Sequence, residues 1–196
     1  ERILQVDPPT RAPQVEFLAS SVEVGVGEPV TLTGLTDFGA SDLKWTIQPS
    51  GPVFVESGSD SSDIYTISFD SVAAYDVTLT ASNSKGVNSL TKQEYIRVLE
   101  EFQMCPVGAT QSAEGIVYDE GGPSGPYTEG NNGNQACEFL INPCADSIKM
   151  ALESFDLGTG DHLRIFDGNT AQGTPLYDPL QYPRGFTGQK SGGNLP

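Results

Sequence analysis

Histidine is nearly missing from this chain: its 196 residues hold one, His162. A catalytic triad or an imidazole-rich metal site therefore has little to draw on, and the three cysteines show none of the Cys-x-x-Cys spacing that a structural zinc site uses. Basic residues are scarce as well. Ten Lys and Arg against 26 Asp and Glu give a formal charge of −16 and a pI near 4.1, a balance that repels phosphate backbones and anionic lipid and argues against nucleic acid or a bare membrane surface as partner. No run approaches the roughly 20 apolar residues of a membrane span, so membrane insertion is not expected. No signal-peptide pattern opens the chain and no Asn-x-Ser/Thr sequon occurs in it. Charged residues make up a low 18%, while Gly (22) and Pro (14) are plentiful. That mixture describes a turn-rich, Ser/Thr/Asn-polar protein with almost no helix, and the expected fold class is all-β.

What is present is a series of short strands punctuated by turns. Glu1 to Val6 reads like the end of a strand, comparable with Glu94 to Val98, and suggests a segment cut from a longer polypeptide. Asp7-Pro8-Pro9-Thr10-Arg11-Ala12-Pro13 follows, so residues 1–14 are expected to be an extended linker or the end of a preceding domain. From Val15 the chain alternates apolar and polar residues in pieces of about five: 15–18, 21–24, 29–33, 43–47, 53–55, 65–69, 75–81 and 93–98. Such spacing predicts a β-sandwich over residues 15–99. The lone Trp45, flanked by apolar neighbours, belongs in its core with Phe17, Leu32, Val77 and Leu79 around it.

Several of these pieces together resemble the PKD family of Ig-like sandwiches. They are Phe17 in VEFLAS, Gly27-Glu28-Pro29-Val30, Leu43-Lys44-Trp45, the tract from Ala74 through Tyr75-Asp76-Val77-Thr78-Leu79-Thr80-Ala81 to Asn83 and Gly86, and the final Tyr95-Ile96-Arg97-Val98. The family's Asp-Gly-Asp turn after the tryptophan strand is replaced by Pro49-Ser50-Gly51-Pro52, so no role of that turn carries over. Leu99 to Met104 reads as a linker with little slack.

In the second half, Ile148/Met150/Leu152 and Leu163/Ile165 form two period-2 runs around the Gly158-Thr159-Gly160 corner, which predicts an antiparallel hairpin. Asp119 with Gly121-Gly122, Tyr127 before an Asn-rich loop at 131–134, Cys137-x-Phe139-x-Ile141, Phe155-Asp156-Leu157 and Asp161-x-Leu163-x-Ile165-x-Asp167-Gly168 resemble a CUB domain, a jelly-roll-like sandwich. Lys190 to Leu195 resembles the start of a further CUB strand, so residues 105–196 are expected to be a C-terminally incomplete CUB-like domain. The resemblance also implies a calcium position at one end of the sandwich. Asp161 matches one family ligand, Asp156 lies beside another, and these two are the candidate metal residues. Two carboxylates fall short of the six to eight oxygens calcium takes, so solvated turn acids outweigh a calcium site. No other cofactor is implied.

The remaining residues weigh against chemistry. His162 is expected on the polar side of a strand, with adjacent Asp161 pointing to the opposite face, which denies it the orientation a triad needs. Asp60, Asp63, Glu100, Glu101, Asp119 and Glu120 read as solvated loop charge, and the Gly pairs lack the strand-to-helix context of a phosphate loop. Among Cys105, Cys137 and Cys144, one disulfide and one leftover thiol are expected, with the pairing open. The expected protein is not an enzyme. It is an extracellular spacer or binding tandem of a larger secreted or cell-surface protein, such as a bacterial adhesin or filament, contacting protein or glycan and further domains of its own polypeptide. Two alternatives stand beside it: an appendage of a secreted hydrolase such as a metallopeptidase, and a structural subunit completed by another chain's strand.

Overall fold

Alternation decides the first half of the molecule. A computed structural model describes residues 8–50, 53–105, 108–119, 121–123, 125, 137–151, 154–157, 161–177, 180, 185–186 and 189–191. The chain is all-β and folds as two compact units, Glu1–Glu101 and Phe102–Pro196. The first contains β1 (Val15–Ala19), β2 (Glu23–Gly25), β3 (Val30–Thr36), β4 (Asp42–Gln48), β5 (Val53–Gly58), β6 (Ile64–Phe69), β7 (Ala73–Asn83) and β8 (Gly86–Leu99). They make two four-stranded sheets, β1-β3-β6-β5 and β2-β8-β7-β4. With strands lettered in the Ig manner these are A-B-E-D and G-F-C plus an added edge, the constant-type Ig arrangement. Every second residue of β7 is buried, Tyr75, Val77, Leu79 and Ala81 each at 1% exposure or less. They meet Phe17, Val30, Leu32 and Ile67 across the sandwich, with Ile96 beside them on β8.

Trp45 fixes how the sheets meet. Its ring stands edge-on to Phe17, centroids 5.3 Å apart, and its indole N–H donates to Ser62 O at 2.8 Å. The space for it comes from Gly34, which follows Val30 and Leu32 on the inward side of β3. A Cβ there would lie 3.1 Å from Leu79 Cδ2 and 3.5 Å from Trp45 Cζ2. At the other end of the core, Tyr75 packs on Phe69, centroids 4.3 Å apart, and its hydroxyl donates to Ser71 O at 3.0 Å. This is the tyrosine corner found at the start of strand F in Ig-type sandwiches.

The last strand is longer than the sequence suggests: β8 begins at Gly86, not near Gln93. Its first half turns one large apolar side chain inward, Leu90 opposite Leu79, and leaves Val87 65% exposed. Hydroxyl pairs across the outer surface accompany the ladder there, Thr78 with Thr91 at 2.8 Å and Thr80 with Ser89 at 2.9 Å. A bulge separates the two halves. Tyr75 faces Ile96 and Val77 faces Lys92, so three residues of β8 oppose Asp76 alone, and the Asp76 carboxylate accepts the Glu94 N–H at 2.7 Å.

The second unit is built from short pairings. β9 (Glu101–Gln103) pairs with β11 (Ile116–Tyr118), and β10 (Gly108–Thr110) runs parallel to β12 (Phe139–Ile141). β13 (Ser154–Asp156) is antiparallel to β16 (Gln189–Ser191), and β14 (Phe166–Asp167) to β15 (Thr174–Pro175). The expected linker at 99–104 thus contains a strand. Among the described residues no ladder joins the two runs of the hairpin expected between 148–152 and 163–165: residues 148–150 lie outside any strand, and Leu163 bridges Phe186 instead. Phe186, 3% exposed, meets Tyr177 edge-on at 5.4 Å, and burying that aromatic draws residues 185–186 to Leu163. The Gly158–Gly160 corner and the Asn131–Asn134 loop lie outside the described residues.

Two outcomes follow for the first unit. Gly34→Val forces two further carbons against Leu79 and Trp45 and is expected to cost about 1–3 kcal/mol, read by urea unfolding on the fluorescence of the single tryptophan. Burial, reinforced by Asp60 and Asp70 respectively, raises the phenol pKa of Tyr65 and Tyr75 above 10.0. These phenols ionise first in the unfolded chain, so the stability they contribute is present below about pH 10 and is lost as pH climbs further. Unfolding midpoints across that range test it, and a Tyr75→Phe variant should lose part of the slope.

Candidate functional site

The two ends of the first unit sit at opposite poles. β8 leaves at Leu99, beside Ala73, and the β7–β8 turn at Asn83–Gly86 lies at the far end of the same hairpin. An eleven-residue β7 separates these poles by roughly 33 Å at the usual strand rise. The incoming chain is fastened at the turn. Asn83 Nδ2 donates to Arg11 O at 2.9 Å and to Phe38 O at 2.8 Å, while Asn88 Nδ2 donates to Pro13 O at 3.2 Å. The Arg11 guanidinium lies 3.7 Å above the Phe38 ring, and Pro13 is fully buried. Residues expected to be a free spacer are therefore held on the module from Arg11 onward. Asparagine side chains reaching backbone carbonyls leave no periodic trace, which is why the sequence did not announce this clasp.

At the exit pole β2 runs parallel to β8, with Glu23, Val24 and Gly25 opposite Arg97, Val98 and Leu99. The Arg97 N–H donates to Val22 O at 2.8 Å, and its guanidinium pairs with Glu23 at 2.7 Å. The incoming segment leads into β1, paired with β3 over five residues, and then into β2, while β8 carries the outgoing chain. Force applied at the two ends would meet the β1–β3 ladder first and, past it, shear the parallel β2–β8 pair.

The other residues singled out above are scattered. Trp45 is core, at 2% exposure. Asp60 is more than loop charge, since its carboxylate pairs with Lys44 and its carbonyl accepts the Trp45 N–H at 2.7 Å. Glu101 lies on β9, half-buried. Asp119 closes a turn, accepting the Gly121 N–H at 2.8 Å. Asp156 is exposed and Asp161 half-buried, and no group of three metal-ligating side chains comes together among the described residues. His162 is not the surface histidine expected: it stands outside any strand, half-buried. Both its ring nitrogens are shielded from solvent and have no hydrogen-bond partner among the described residues. With Leu163 reduced to a single bridge, the alternation that would have turned His162 outward does not operate.

Two open grooves mark the first unit. One of about 580 Å³ is lined by Gln14, Glu16, Leu35, Asp37 and Asn88 among others, and one of about 360 Å³ by Ser41, Asp42, Ser61, Ser62 and Asp63 among others. Hydroxyls, amides and carboxylates line these grooves, and in the second the Ser41 hydroxyl donates to the Asp42 carboxylate at 2.9 Å.

No protein-family model matches the chain, and no curated protein matches it. Among solved structures, the crystal structure of the titin M3 domain aligns with 45% of this chain and 98% of its own at 18% identity, with a TM-score of 0.30. A likeness that distant carries no weight beside the strand order itself.

Cys105 and Cys137 are bridged, Cα atoms 5.2 Å apart across 32 residues of sequence, and Cys144 is free and exposed. Closing a loop of that length limits the unfolded ensemble by roughly 3–4 kcal/mol. Cys105→Ser with Cys137→Ser is therefore expected to lower the stability of the second unit by up to that amount and leave the Trp45-reported transition of the first unchanged. Parallel near-ultraviolet and fluorescence melts separate the two.

Proposed function

We propose that this chain is a non-catalytic extracellular spacer and binding tandem of a larger secreted or cell-surface protein, a PKD-like module followed by a CUB-like one. A bacterial adhesin or surface filament protein is the setting that suits it, with protein or glycan contacts falling to the second unit. The observation that carries the reading is the pole-to-pole course of the first unit. A chain clasped at one end by Asn83 and Asn88, and leaving at the other through a strand parallel to β2, keeps a fixed distance under tension.

Other features support it. The Cys105–Cys137 bridge suits an oxidising compartment. A strongly acidic surface keeps neighbouring copies soluble and apart. The reading calls for no cofactor.

Single-molecule pulling on the full chain tests it. The first unit is expected to open in one discrete step, and Val24→Pro, which removes a ladder donor from β2, to open at distinctly lower force. A first unit that extends gradually, or a Val24→Pro trace identical to the parent, would contradict the spacer role.

A further inference from the structure

Three of the four sheet edges in the first unit are blocked, each by a group that can be named. On β1, the Phe17 N–H donates to Glu16 Oε1 at 2.8 Å, Lys92 Nζ donates to Phe17 O at 2.6 Å, and the Ala19 N–H donates to Tyr95 Oη at 3.2 Å. On β4 the Trp45 N–H is taken by Asp60 O. β2 is three residues long and its Gly25 N–H is held by Glu28 Oε2 at 2.8 Å. These are the usual defences of an exposed edge: shortness, charge and cover.

β5 differs. Among the described residues, the backbone of Val53, Phe54 and Val55 makes no hydrogen bond beyond its ladder with β6. The three side chains form a continuous apolar run, so the strand is apolar on both faces there. Phe54 and Val55, neighbours that point to opposite faces, are each 56% exposed. The bulge that twists β5 comes only after Val55, and Glu56 is turned back to accept the Ser68 hydroxyl at 2.6 Å.

We propose that the Val53–Val55 edge is a strand-addition site for an extended segment of a partner protein, with alternating apolar residues flanked by Lys or Arg. Strand addition supplies main-chain hydrogen bonds for affinity and side-chain matching for choice. The charges select the partner. Glu56 closes one end of the apolar run, and Asp70 follows Phe69, which faces Val53 at the other end. A second copy of this chain is disfavoured: antiparallel β5 strands would bring Glu56 of each toward Asp70 of the other, between two chains of charge −16. The inference goes beyond the spacer role and does not depend on it, because a free edge beside acids is the same whether or not the module carries tension.

The test uses the full chain and a fluorescein-labelled peptide, Lys-Lys-Val-Thr-Val-Thr-Val-Lys-Lys, followed by anisotropy at low ionic strength. Saturable binding is expected, weakened by about tenfold or more when the flanks are Glu, when the valines are N-methylated, or when the protein carries Phe54→Ser and Val55→Ser. Leu18→Ser, on the far edge of the same sheet, should leave it unchanged, and Trp45 fluorescence verifies that each variant is folded. The amides of Val53 to Val55 should shift on titration in an NMR spectrum. Absence of saturable binding, equal affinity for the N-methylated peptide, or dimerisation of the unliganded chain in sedimentation equilibrium would overturn the proposal.

Discussion

The first unit depends on seating one indole between two sheets. Trp45 is held from four directions: Phe17 edge-on at 5.3 Å, the gap left by Gly34, the Ser62 carbonyl on its ring nitrogen and the Asp60 carbonyl on its backbone N–H. Together the contacts tie three other elements to β4. Phe17 belongs to β1, Gly34 to β3, and Ser62 and Asp60 to the turn leading into β6. An aromatic of this size buried with its polar handle satisfied is among the most costly single groups to remove, about 3–5 kcal/mol on truncation to alanine. Tyr75 does the matching task at the other end of the core, satisfying its hydroxyl on Ser71 O.

From that core the functional features follow as consequences of where strands end. Because β7 and β8 form one long hairpin, its turn lies far from the exit at Leu99, and the incoming segment is captured by Asn83 and Asn88 at the turn. The bulge opposite Asp76 brings Lys92 and Tyr95 together over Phe17, 4.5 and 5.5 Å from its ring centroid. That places a cation and a phenol against the backbone of β1. The Lys92 ammonium in turn holds the Glu16 carboxyl below its ordinary range. The sandwich therefore closes β1 with considerable investment and leaves Val53–Val55 of β5 open. The two edges of that sheet thus differ.

How much of this was legible depends on the interaction involved. Strands that bury alternate residues disclosed themselves, which is why Trp45, Phe17, Leu32, Val77 and Leu79 could be placed in a core from spacing alone. The first half of β8 was silent because it buries a single large apolar residue, Leu90, amid hydroxyl pairs such as Thr80–Ser89. The clasp at Arg11 and Pro13 was silent because side-chain amides bound to carbonyls have no period. In the second unit, runs two or three residues long pair across sequence separations such as that from Leu163 to Phe186, whereas local alternation suggested a hairpin that the described residues do not show. His162 was misplaced for the same reason. The choice of Cys105 with Cys137 required coordinates, since three cysteines allow three pairings.

Native-state hydrogen exchange at Trp45 tests the central claim most directly. If the indole joins the two sheets, its ring N–H and its backbone N–H exchange only when the whole unit opens, at the same free energy as the slowest amides of β6 and β7. Exchange of either Trp45 proton through a low-energy local opening, with those amides still protected, would show that the sheets hold together without it.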